Sequence, residues 1–120
     1  MESDTILIMC THGTYGRHDD LYGGLLTANA ALAKGLKVTI FFIEDGVFAC
    51  NKNQNPSKIG LPNTIEELND FLELGGRLII DKISIDERGI TMNDMIDGAE
   101  IIQIKDIDDI IKNHNVSLTF

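Results

Sequence analysis

Two thiols, a carboxylate with a hydroxyl three residues on, and one arginine are the residues with most chemistry to offer. Cys10 and Cys50 are the only cysteines of the chain. A thiolate is both a nucleophile and a sulfur acceptor, so either is a candidate catalytic residue. Cys10 closes a short apolar run, where a free cysteine also serves as a small buried hydrophobe. Cys50 stands just ahead of a polar stretch and is expected to be the more reachable of the two. Asp81 and Ser84 follow the apolar run Leu78, Ile79, Ile80. At the end of a buried strand, Asp81 can act as an acid, a base or a ligand's hydrogen-bond acceptor. It can equally cap the following turn by accepting backbone N–H bonds. Arg88 can bind an anion, or pair with Asp86, Glu87 or a neighbouring subunit. The structural role is favoured for it.

The loop Thr11–Asp20 holds the other polar candidates. A glycine-bearing loop between a strand and a helix can cradle a phosphate. The G-x-G-x-x-G fingerprint is missing, however, and Asp19-Asp20 would repel an anion at the helix start. His12 and His18 with these acids suggest a metal, yet H-x5-H on a loop is not a recurrent ligand spacing. No metal and no cofactor are therefore expected. His12 and Tyr15 remain as binding candidates, with Tyr15 and Tyr22 able to line a pocket or a subunit contact. No Ser-His-Asp or Cys-His arrangement is readable.

These residues need elements to hold them. Thr5–Cys10 and Lys37–Ile43 are continuous apolar runs, the mark of strands buried on both faces. Between them Leu21, Leu25, Ala28 and Leu32 form one helical stripe, ending at Gly35. Gly23 and Gly24 inside that helix suggest close approach of another backbone. Val47–Cys50 reads as a turn or two of helix, and Asn51–Asn63 as the one long irregular segment. Thr64-Ile65-Glu66-Glu67 has the pattern of a capping box opening a second helix, which Gly75-Gly76 ends. The stretch Arg77–Ile90 begins as the third strand (Leu78, Ile79, Ile80) and ends in a polar turn from Asp81 to Gly89. Thr91–Asp97 suggests a short helix and Ala99–Ile104 a fourth strand. Asp106 should cap a last helix that buries Ile107, Ile110 and Ile111. Val116, Leu118 and Phe120 alternate with polar residues, as in an edge strand with one buried face.

Strands alternating with helices imply a single domain over residues 1–120. The expected fold is a three-layer α/β/α sandwich around a mostly parallel, five-stranded, Rossmann-like sheet. In such a sheet, chemistry gathers beyond the carboxyl ends of the strands. Cys10, Cys50 and Asp81 all follow strands that should run parallel, so they can share one mouth. The net charge of −9 argues against nucleic acid and anionic membranes as partners. The apolar runs are too short to span a bilayer. The amino terminus lacks a basic leader, and two cysteines suit a reducing cytoplasm.

Several strings, taken in order, resemble the DsrE/DsrF family of small α/β proteins, and within it the YchN-like branch. They are Gly13 and Gly16 after the first strand and Glu44-Asp45 after the second. Asp86-Glu87-Arg88-Gly89-Ile90 follows, then Ile96 to Ile101 and the terminal Leu118-Thr119-Phe120. The resemblance implies a cytoplasmic protein that assembles with itself, as a homotrimer or a hexamer. Members of the TusBCD and DsrEFH types relay sulfur as a cysteine persulfide between sulfur-carrier partners. Their carrier cysteine lies eight residues before the glycine of the Arg-Gly pair, which falls on Asp81. A second cysteine in some YchN-like members falls on Ser84. A carboxylate cannot hold sulfane sulfur, so carrier chemistry at this position is lost. What is left is a carrier using Cys10 or Cys50, or a non-carrying subunit, for which the family offers precedent. A small-molecule-binding protein and a purely structural module are the alternatives. In the last, Val116–Phe120 would form the subunit interface.

Overall fold

The computed structural model describes residues 4–13, 20–60 and 63–120. Five strands, β1 (Thr5–Cys10), β2 (Lys37–Phe42), β3 (Arg77–Asp81), β4 (Glu100–Ile102) and β5 (Val116–Thr119), pair in the order β4-β3-β2-β1-β5. Every neighbouring pair is parallel, so the sheet is wholly rather than mostly parallel. The three inner strands are apolar on both faces because both faces are covered. Ile8, Ile40 and Ile80 meet α1 (Asp20–Ala33) and α2 (Thr64–Glu73) through Leu25, Ala28, Leu68 and Phe71. Leu7, Phe41 and Ile79 meet α4 (Ile107–Lys112) through Ile110. The chain steps from β1 to β4 in one direction and returns through α4 on the opposite face. That route keeps each parallel crossover right-handed. A short helix, α3 (Lys82–Glu87), stands directly after β3.

Several local expectations change. The stretch after Asp81 is helix α3 rather than a turn, because Asp81 caps it. The cap of α2 is Asn63, whose side chain accepts the Ile65 N–H, and not Thr64. Thr64 is buried instead, with its hydroxyl donating to Gln54 at 3.0 Å. Met92–Asp94 forms a single 3-10 turn where a longer helix was expected. Asp106 stands at the cap position of α4 without a side-chain cap bond. Ile111, about 100° around the helix from Ile110, is exposed. β5 is an edge strand as expected, yet Val116 and Leu118 remain exposed in the single chain. Gly24 faces the Phe120 ring, not a backbone, and Gly23 faces open space among the described residues.

Candidate functional site

At the carboxyl end of β3 the backbone leaves the sheet and must at once supply a helix with an N-terminal partner. Asp81 does so, with only 2 % of its surface exposed. Its Oδ2 accepts the Ser84 N–H at 3.1 Å and the Ser84 hydroxyl at 2.6 Å. The second distance is that of a hydroxyl bonded to a carboxylate. Ser84 Oγ in turn accepts the Glu44 N–H at 2.8 Å, which ties the end of β3 to the end of β2. Asp81 Oδ1 is buried and has no hydrogen-bond partner among the described residues. Buried polar atoms are rarely left so, and each one asks for a reason.

Glu44 is the strained member of this group. Its φ is +55°, unlike every other described non-glycine residue. A left-handed backbone costs such a residue roughly 1–2 kcal/mol. The bond to Ser84 holds it there. The 3-10 segment Glu44–Cys50 that follows is fixed at further points. Arg88 Nε donates to Asp45 Oδ1 at 3.0 Å, and Arg88 Nη1 donates to the Ser84 carbonyl at 3.2 Å. Gly46 lies so close to the Cys10 carbonyl that a Cβ there would approach its oxygen to 2.1 Å. The Ile96 N–H bonds the Cys50 carbonyl at 2.8 Å, and Met95 pairs with Asn51 beside it.

Cys10 closes β1 and Cys50 closes that segment. Cys10 and Cys50 are free and buried, and belong to the core that α1 and α2 cover. The expectation that Cys50 is the more reachable is corrected: its exposure is 0 %, because Met95 and Ile96 close over the end of the segment. Burial pushes the Cys10 thiol up to about 12. Burial also pushes Cys50 well up, and the nearby Cys10 adds to the rise. A neutral, desolvated thiol is a poor nucleophile.

The structure thus brings Asp81 and Ser84 together as a bonded pair, with Arg88 joined to them at the Ser84 carbonyl. Arg88 pairs with Asp45 at 3.0 Å and with Glu87 at 4.0 Å, whereas Asp86 pairs with Lys82 at 2.7 Å. His12 is exposed, with Nδ1 at 3.3 Å from the Thr11 hydroxyl. Tyr15, like His18 and Asp19, lies outside the described residues. Among the described residues no group of three or more His, Cys, Asp or Glu side chains is placed to hold a metal. Nor is any helix long and apolar enough to cross a membrane. Sequence reasoning passed over Glu44 and Gly46 as individual residues; only the Gly after two acids hinted at a tight backbone.

A second polar cluster lies at the opposite, amino end of the strands. A cleft of ≈ 570 Å³ opens there between the starts of β1, β2 and β3 and the ends of α1, α2 and α4. His114 and Thr39 line it, with His114 Nε2 at 2.8 Å from the buried Thr39 hydroxyl. The Ile110 carbonyl can only accept, so His114 Nδ1 carries a proton and donates to it.

The wholly parallel α/β/α layout, with its polar cluster at the strands' carboxyl ends, defines a small doubly covered α/β domain. The DsrE/DsrF-like family model matches residues 4–120, and the chain belongs to that family. It is 33% identical over 113 residues to the uncharacterized protein MJ0989 of Methanocaldococcus jannaschii, covering 94% of this chain and 96% of that one. It is 32% identical over 117 residues to the uncharacterized protein MK0008 of Methanopyrus kandleri, covering 98% and 94%. Among solved structures it resembles the ychN protein from E. coli, with a TM-score of 0.88 and 25% identity over 98% of this chain and 99% of that one. The protein MTH1491 from Methanobacterium thermoautotrophicum shares the fold, with a TM-score of 0.71 and 9% identity over 99% and 100%.

Proposed function

We propose that this chain is a non-carrying subunit of a DsrE-like oligomer in intracellular sulfur metabolism. One observation carries the reading: Asp81 and Ser84 are bonded to one another as the cap of α3, at the two positions where carriers of this family would hold thiols. The burial of Cys10 and Cys50 supports it, because sulfur relay needs a thiolate that a donor can reach. Val116 and Leu118, exposed on the edge strand, support self-association through β5, as a homotrimer or hexamer. Sulfur-carrier proteins are the partners this role calls for.

The test is intact-protein mass measurement after incubation with a persulfide donor. The native protein should gain no sulfur atom, and the urea-unfolded chain should gain it at both cysteines. Uptake by the native protein that Cys10→Ser or Cys50→Ser abolishes would make it a carrier with a relocated thiol. A second reading, a small-molecule site at the same mouth, is favoured by the unpartnered Asp81 Oδ1. A donor-bearing compound that raised the melting temperature of the wild type, but not of Asp81→Asn, would support it.

A further inference from the structure

The chain contains two Asp-Gly pairs, Asp45-Gly46 and Asp97-Gly98, and no Asn-Gly pair. In an Asp-Gly pair the glycine's amide nitrogen can attack the aspartate Cγ, because the glycine has no side chain to stand in the way. The fold treats the two pairs in opposite ways, and the non-carrying role needs the chemistry of neither.

We infer that Asp97-Gly98 is a modification site, at which the folded protein converts Asp97 spontaneously to isoaspartate, whereas the same pair at Asp45 is protected by its hydrogen bonds. The step is a condensation followed by a hydrolysis. The Gly98 nitrogen bonds to Asp97 Cγ, and the carboxyl OH leaves with the amide proton as water. A second water then opens the imide ring at either carbonyl. Opening at the main-chain carbonyl leaves the chain running through Cβ, which is isoaspartate. Nothing is oxidised or reduced.

The physical case rests on what holds each reacting group. Asp97 and Gly98 form a turn just ahead of β4. The Asp97 side chain is 97% exposed, and its ion pair with Lys52 spans 3.9 Å. A pair that long and that wet does not hold the carboxylate in place. Gly98 has a φ of +94°, and its N–H has no hydrogen-bond partner among the described residues. Both groups therefore face water, and rotation about Asp97's own bonds is enough to bring them together. The chain is fastened on either side of the turn instead, by the Ile96 N–H to the Cys50 carbonyl at 2.8 Å and by Arg77 to Glu100 at 2.6 Å. At the other pair both groups are engaged. Gly46 N–H donates to the Ile43 carbonyl at 3.0 Å, and Asp45 Oδ1 accepts from Arg88 Nε at 3.0 Å. Gly46 has no room to shift, since the Cys10 carbonyl fills the space beside it. Isoaspartate would add one main-chain carbon between Ile96 and Glu100, directly before a strand of three residues.

The experiment incubates the folded protein for weeks in mildly acidic buffer, digests it, and separates the aspartyl and isoaspartyl forms of each Asp-Gly peptide. An isoaspartyl carboxyl methyltransferase with labelled S-adenosylmethionine counts the β-linked residues independently. Isoaspartate at Asp97 should form at least about tenfold faster than at Asp45, where two hydrogen bonds have to open first. In urea the two rates should converge. Asp97→Asn keeps the same ring closure with ammonia as the leaving group, and should react faster than the wild type, read as released ammonia. Asp97→Ser removes the carbon under attack and should leave that peptide without a methyl acceptor. Asp97 is exposed, so both variants should fold. The inference is overturned if the folded protein modifies Asp45 as fast as Asp97, or if Asp97 is modified only in urea. It is equally overturned if Asp97→Asn releases ammonia no faster than its unfolded chain loses it from the other asparagines.

Discussion

Replacing Gly46 with alanine puts a methyl group where the Cys10 carbonyl already stands. The new Cβ would lie 2.1 Å from the carbonyl oxygen and 2.8 Å from its carbon, where ordinary contact begins at 3.4 Å. Backbone must therefore separate from backbone by about 1.3 Å, and neither side is free to move. The Cys10 carbonyl accepts the Ile43 N–H at 3.1 Å, and Gly46 N–H donates to the Ile43 carbonyl at 3.0 Å. Losing the first of these bonds costs about 1 kcal/mol, and overpacking adds about 1–3 kcal/mol. A loss of about 3 kcal/mol is a large share of the roughly 6–18 kcal/mol expected of a domain this size. In urea unfolding followed by circular dichroism, with a slope near ~1.5 kcal/mol/M, the midpoint should fall by about 2 M. The slope itself should stay unchanged. A midpoint within about 0.3 M of the wild type would refute the reasoning, because it would mean that Gly46 does not press on β1.

Gly23 offers the opposite case. With nothing near its Cβ position among the described residues, Gly23→Ala should stabilise the protein by about 0.5–1 kcal/mol in the same assay. Gly24→Ala gains the same helix propensity but meets the Phe120 ring at 3.1 Å, so it should fall short of Gly23→Ala. Alkaline stability should report on Cys10, whose thiol burial lifts from an ordinary 9.0 up to about 12. The folded chain keeps a proton that the unfolded chain releases, so this stability is complete below pH 9 and is lost as pH rises toward 12. Cys10→Ala should flatten that loss, as thermal melts between pH 8 and pH 11 would show. Thr39→Val removes the hydroxyl that His114 Nε2 meets and should cost about 1 kcal/mol in chemical denaturation.

The strands were legible because burial on both faces writes itself into continuous apolar runs. Thr5–Cys10 begins and ends where the residues suggest, and β3 extends one residue beyond Leu78–Ile80 at each end. The family was legible for a related reason, since its strings sit at the turns where those strands end. Helix α3 was not legible. It spans six residues, too few for a helical period to show, and its cap is the very Asp81 whose other readings were catalytic. The cap of α2 was misplaced by one residue because Asn63 and Thr64 are both good caps, and only the demand of Gln54 on the Thr64 hydroxyl separates them. The burial of Cys50 was hidden for a different reason. It depends on Met95 and Ile96 docking from far along the chain, and no local pattern around Cys50 records that contact.

The pairing of β5 with β1 has a consequence for how the chain is made. Ile6 finds its partner in Val116, and Thr11 N–H finds the Phe120 carbonyl, each more than 100 residues downstream. During synthesis, β1, β2 and β3 can assemble as soon as α1 and α2 are complete. The outer edge of β1 then stays open until the last strand emerges. It is one of the most apolar strands of the sheet, and its bare N–H and C=O groups can template pairing with another nascent chain. Closure of so long a loop is also slow. Translation that pauses before Val116 leaves this edge uncovered, so β5 acts as a guard against chain-to-chain association as well as a strand.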